Sequence, residues 1–146
     1  MPRYLVVANQ TLGQPQLTET ILTFFRASPS HFHLLVPATL THVSGPARLT
    51  RAEAAALAQS RLELALAELE SLGVPVSGEV GDPSPMLAIG EALSRGSFDQ
   101  LIISTLSVGP SQWLRRGLPE RVERVFDLPV TLVIPRPATA PAESTS

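Results

Sequence analysis

Five short apolar runs, separated by segments with helical spacing, constrain the fold of this chain more than any other feature. They occupy residues 4–8, 32–36, 76–80, 101–103 and 130–134. Tyr4-Leu-Val-Val-Ala8 and its counterparts are continuously apolar rather than alternating. Such runs read as strands buried on both faces, as in a parallel sheet. The run at 76–80 is weaker and carries Gly78 inside it. Strands alternating with helices imply a parallel α/β domain, and right-handed crossovers place helices on both faces of the sheet. The expected architecture is a flavodoxin- or Rossmann-like three-layer sandwich with a five-stranded parallel sheet. The pattern leaves strand order open.

The intervening segments carry helix signals. Leu17, Ile21, Phe24 and Phe25 fall on one side of a helix over 17–26. Thr50-Arg51-Ala52-Glu53 is a capping-box pattern that starts the longest helix, which runs to Leu72 and stops at Gly73. Its apolar stripe is Ala58, Leu62, Ala65, Leu69 and Leu72, which reads as core packing. Asp82 or Ser84 caps a third helix, with a proline at its first position and Met86, Ile89, Gly90 and Leu93 inward. Leu118-Pro119 opens a fourth, over 120–127.

At 146 residues the chain has the length of one domain. That length buries about two-thirds of the unfolded surface, so no metal or disulfide staple is required. The net charge of −2 gives no electrostatic footprint for nucleic acid or an anionic membrane. Cysteine is absent, which excludes thiol chemistry and is compatible with a cytoplasmic location. The N-terminal apolar run is too short for a signal peptide, and no stretch approaches a membrane span. From Pro135 onward the chain is rich in Pro, Ala, Ser and Thr. We expect a domain over 1–136 and a disordered tail over 137–146.

Chemistry-bearing residues are few. His31 and His33 can point the same way from a strand, but with His42 they lack further ligands for a metal, and ordinary structural histidines are expected. No nucleophile elbow, phosphate-binding Gly-Lys loop or dinucleotide fingerprint occurs, which argues against an α/β hydrolase, a redox enzyme or indeed any enzyme. The segment 101–122 is the exception. A strand ends in Ser104, Thr105 and Ser107, a polar loop follows, and Gly117-Leu118-Pro119 starts a helix. That arrangement places backbone N–H groups before a phosphate, at the strand ends where open α/β sheets bind ligands. Arg115 and Arg116 are either a guanidinium fork for phosphate or a solvated pair on the loop rim. Trp113, in the same loop, either covers a base or pins the loop to the domain.

The spacing Ser104-x2-Ser107-x9-Gly117-Leu118 resembles the nucleotide loop of the universal stress protein family, Gly-x2-Gly-x9-Gly-Ser/Thr. Gly81-Asp82-Pro83, Phe98-Asp99-Gln100-Leu101-Ile102-Ile103 and Leu128-Pro129-Val130 extend the resemblance over most of the chain. It implies strand order 3-2-1-4-5 and a crevice between strands one and four. It also implies a nucleotide site at Asn9, Val36, Ser104, Ser107, Gly117 and Leu118, to which the residues themselves add Thr105, Arg115 and Arg116, with ATP as the ligand to test. Asn9 stands where nucleotide-binding members carry aspartate, and Val36 where backbone meets adenine. Two of the three loop glycines are serines here, and a serine forced left-handed costs about 1–2 kcal/mol. Leu118 replaces the family's hydroxyl residue, and Pro119 has no N–H to offer. Each donor lost to a charged phosphate costs about 1.5–3 kcal/mol, or about ten- to a hundredfold in affinity.

Two readings follow. One is a stress-response or regulatory domain without tight ATP binding, acting as a homodimer or on a protein partner. Its last run, with Val130 and Ile134 at its ends, would be a sheet edge that a second copy covers. The other is an adenine nucleotide module with a modified loop, Arg115 and Arg116 at the phosphates and at most slow hydrolysis. Neither involves nucleic acid or membrane.

Overall fold

The computed structural model describes residues 2–9, 11–12, 14–38, 50–105 and 117–134. Along the chain come β1 (Arg3–Val7), α1 (Pro15–Ala27), β2 (His31–Pro37), α2 (Arg51–Ser71) and β3 (Val76–Gly81). Then follow α3 (Pro85–Arg95), β4 (Gln100–Ser104), α4 (Leu118–Phe126) and β5 (Val130–Val133). All five strands are parallel, in the order β3-β2-β1-β4-β5, as the resemblance implies. His42, Ser107, Trp113, Arg115, Arg116 and the tail over 137–146 lie outside the described residues.

The continuous apolar runs have a direct cause. Successive strand side chains point to opposite faces, and both faces are covered. Val6, Phe32, Leu34, Val36 and Ile102 pack against Leu17 and Ile21 of α1 and Ala58, Leu62 and Leu69 of α2. Leu5, Val7, Leu35, Leu101 and Ile103 pack on the other face against Ala88, Ile89 and Ala92 of α3 and Leu118 and Val122 of α4. Tyr4 closes one end of the first layer, stacked on Phe32 with ring centroids 5.0 Å apart.

Helix α2 has the predicted capping box. Glu53 N–H donates to Thr50 Oγ1 at 3.1 Å, and Thr50 N–H donates to Glu53 Oε1 at 2.8 Å. It ends in a Schellman motif at Gly73, φ +84°, where Gly73 N–H reaches Glu70 O and Val74 N–H reaches Leu69 O. The chain turns there, so Leu72 leaves the apolar stripe and is 47% exposed, while Ala54 joins it and Val74 is buried just beyond. Helix α3 is likewise rotated from expectation. Ala88, Ile89 and Ala92 are buried, whereas Met86, Gly90 and Leu93 are only half-buried. Ser84 is its cap by position, and its backbone N–H donates to Asp82 Oδ1 at 2.8 Å in an Asx turn.

Gly78 reports how closely α2 lies on the sheet. A Cβ there would stand 2.5 Å from Leu62 Cδ1 and 3.0 Å from Leu34 O. Overpacking of this kind costs about 1–3 kcal/mol. Gly78→Val is therefore expected to lower the unfolding free energy, read from urea denaturation, by that amount, and an unchanged midpoint would contradict this packing.

Candidate functional site

Strand β1 lies between β2 and β4, and the connections leaving its neighbours diverge to opposite sides. A crevice therefore opens beyond the C-terminal ends of β1 and β4, the place where open parallel sheets take ligands. Asn9 follows β1, Val36 and Pro37 end β2, and Ser104 and Thr105 end β4. Gly117 and Leu118 open α4 on the α3 side of the sheet.

Among the described residues, Asn9, Thr11 and Ser104 are buried polar side chains here, each hydrogen-bonded within the chain. Asn9, 6% exposed, donates from Nδ2 to Pro37 O at 2.7 Å, tying the end of β1 to the end of β2. Its Oδ1 accepts a hydrogen bond from Arg61 Nη1. Ser104, fully buried, donates from Oγ to Thr11 Oγ1 at 2.7 Å. Thr105 N–H donates to Val133 O at 3.0 Å, extending the ladder between β4 and β5. Val36 is fully buried in the layer under α1 and α2, so the acceptor that Asn9 uses belongs to the next residue, Pro37.

Arg61 and Thr11 were not anticipated from the sequence. Arg61 had a signal: it stands three residues after Ala58 and four before Ala65, inside the buried stripe of α2. A charged residue at that spacing has to find a partner near the sheet. Burial lowers the pKa of its guanidinium, yet an arginine stays charged at any physiological pH. Thr11 offered only a hydroxyl two residues after Asn9.

The start of α4 is the other half of the crevice. Gly117 is left-handed at φ +65° and ψ +38°, a conformation that suits glycine. Leu118 and Pro119 are both buried, and Gly117 at the cap position has no side chain to cap the helix. Its first turn thus presents an apolar pair, and Pro119 contributes no donor.

The two described histidines lie at the opposite end of β2 from the crevice. They do point the same way, onto β3. His31 Nε2 and His33 Nδ1 both contact Ser77 Oγ, at 2.8 and 2.7 Å, and His33 Nε2 meets Glu79 Oε2 at 2.8 Å. Arg95 Nη2 donates to Glu79 Oε1 at 2.6 Å. Burial, together with the charges of Arg3 and His33, lowers the His31 pKa. Burial pushes the Glu79 carboxyl up, but bonds and charge from His33 and Arg95 outweigh it and leave its pKa below 4.5.

Two predictions follow from these contacts. Asn9→Ala strips partners from Pro37 O and Arg61 and is expected to cost about 1–3 kcal/mol. A double-mutant cycle with Arg61→Ala, read by urea unfolding, should show a coupling of about 0.5–3 kcal/mol, and additive losses would contradict the contact. A second prediction concerns pH. A histidine held neutral makes its full contribution above its unfolded value of 6.5 and destabilises the fold as pH drops below it toward the depressed native value. Glu79 adds a further loss as pH drops from 4.5 through its own lowered value. His31→Gln should flatten the first limb of a stability–pH curve, and an unaltered limb would contradict the assignment.

No family model matches the chain, and no curated protein sequence matches it. Solved structures do. A universal stress protein family protein from Arabidopsis thaliana with AMP bound superposes with a TM-score of 0.65 at 14% identity, over 95% of this chain and 97% of that one. A universal stress protein family structure from Burkholderia pseudomallei gives 0.61 at 12% identity, over 90% and 94%. A universal stress protein in complex with cAMP gives 0.59 at 17% identity, over 92% and 98%. With its strand order, these superpositions show that the chain has a universal stress protein-like fold.

Proposed function

We propose that this chain is a universal stress protein-like regulatory domain of the cytoplasm that acts as a homodimer and does not bind ATP tightly. The observation that carries this reading is the internal pairing of the crevice. Asn9 bridges Pro37 and Arg61, and Ser104 is spent on Thr11. A nucleotide would have to replace those bonds and find its donors at a helix start occupied by Leu118 and Pro119. The dimer reading rests on β5, which pairs with β4 on one side and carries Leu132 at 40% exposure, followed by Ile134 at 41%. An apolar edge of this kind is covered at low cost by the same strand of a second copy.

The alternative is an adenine nucleotide module in which arginines compensate for the lost glycines. It draws support from the AMP and cAMP held by two of the structurally similar proteins and from the Arg61 guanidinium at the crevice wall. In that reading Arg115 and Arg116 contact the phosphates.

Calorimetric titration with ATP and Mg²⁺ separates the two. The proposal predicts no saturable heat up to millimolar nucleotide. A micromolar dissociation constant that is lost in Arg115→Ala/Arg116→Ala would instead establish the alternative. Light scattering should return twice the chain mass of 15.6 kDa at micromolar concentration, and a monomer would overturn the dimer.

A further inference from the structure

The side chains joining β2, β3 and α3 form an unbroken line of hydrogen bonds: His31, Ser77, His33, Glu79, Arg95. None of these residues belongs to the crevice. His33 and Ser77 are direct neighbours in the register of the two strands. Proton counting along the line is restrictive. An ionised carboxylate only accepts, so His33 Nε2 carries a hydrogen and donates it to Glu79. The Ser77 hydroxyl has one proton and can donate to one ring alone.

Two arrangements place one hydrogen in each of these contacts and keep the Ser77 hydroxyl donating within the line. In the first, both rings are neutral: His31 Nε2–H donates to Ser77 Oγ, and the Ser77 hydroxyl donates to His33 Nδ1. In the second, His33 holds an extra proton at Nδ1. That N–H donates to Ser77 Oγ, so the hydroxyl turns over and donates to His31 Nε2. His31, still neutral, must then carry its hydrogen on Nδ1. We propose that His31, Ser77, His33 and Glu79 form an acid-sensing relay in which one proton taken up by His33 reverses the Ser77 hydrogen bond and switches the tautomer of His31.

The surrounding charges favour this direction. Glu79, the carboxylate in contact with a ring, touches His33, and Arg95 from α3 fixes that carboxylate from its other oxygen. Arg3 from β1 acts on His31, and its guanidinium lies 4.8 Å from the centroid of Phe98, whose ring stands 5.9 Å from His33. Asp99, next to Phe98, accepts the backbone N–H of Arg3 at 2.8 Å. Burial and the charge of Arg3 disfavour a proton on His31. The relay thus places a proton-dependent tie between the edge strand β3, its neighbour β2 and helix α3.

Side-chain nitrogen NMR of the intact protein, recorded from neutral to mildly acid pH, tests it. At neutral pH the His31 ring should show the Nε2–H pattern. As His33 titrates, the His31 pattern should invert to Nδ1–H with the same midpoint. In Ser77→Ala, His33 should titrate without any inversion at His31. A His31 tautomer that stays constant while His33 of the wild-type protein titrates would overturn the proposal. A shared midpoint that survives Ser77→Ala would overturn it equally.

Discussion

The central position of β1, buried on both faces and paired in parallel on both edges, determines where everything else in this molecule can sit. Parallel neighbours require crossover connections, so β1 cannot pair with β2 and β4 unless helices cover both faces of the sheet. The helices α1 and α2 take one face, and α3 and α4 take the other. The chain builds outward from β1 to β3 and then returns to β4 and β5. That reversal leaves an opening beyond the end of β1, and the residue placed there is Asn9.

A buried polar group in such an opening has to be satisfied, because an unpaired amide or hydroxyl costs about 1–3 kcal/mol. A bound ligand is one way to satisfy it, and the protein's own side chains are another. Here the second way is realised among the described residues. Asparagine in place of a carboxylate can donate as well as accept, so it reaches Pro37 O and receives Arg61 at once. An aspartate could not donate to that carbonyl. Ser104 in place of glycine brings a hydroxyl that Thr11 accepts. Asn9 and Ser104 thus each find their partners within the chain.

Most of the fold was legible in the sequence because its signals are local. Apolar runs give the strands, the Thr50–Glu53 box and Gly73 give the ends of α2, and Pro119 after Gly117 gives the start of α4. Strand order was legible only through resemblance, since no local signal encodes which strands neighbour β1. The site was legible in position more than in content. Asn9, Ser104 and Thr105 stand at the strand ends, where the sequence puts them, yet the partners of Asn9 and Ser104, namely Pro37, Arg61 and Thr11, come from three segments. Arg61 is set by the rotation of α2 about its axis, which the apolar stripe fixes only to within a residue. The Ser77 and Glu79 contacts of the histidines depend on the register between β2 and β3, which is likewise a property of the folded sheet.

The Asn9 side-chain amide is the most direct reporter of the central claim, that the crevice is closed on its own residues. Its two N–H signals, followed by NMR during titration with ATP and Mg²⁺, should keep their positions up to millimolar nucleotide, as should the backbone amides of Thr105 and Leu118. Saturable shifts at these groups, absent from the far end of the sheet, would mean that nucleotide displaces the Asn9 contacts and would contradict the account.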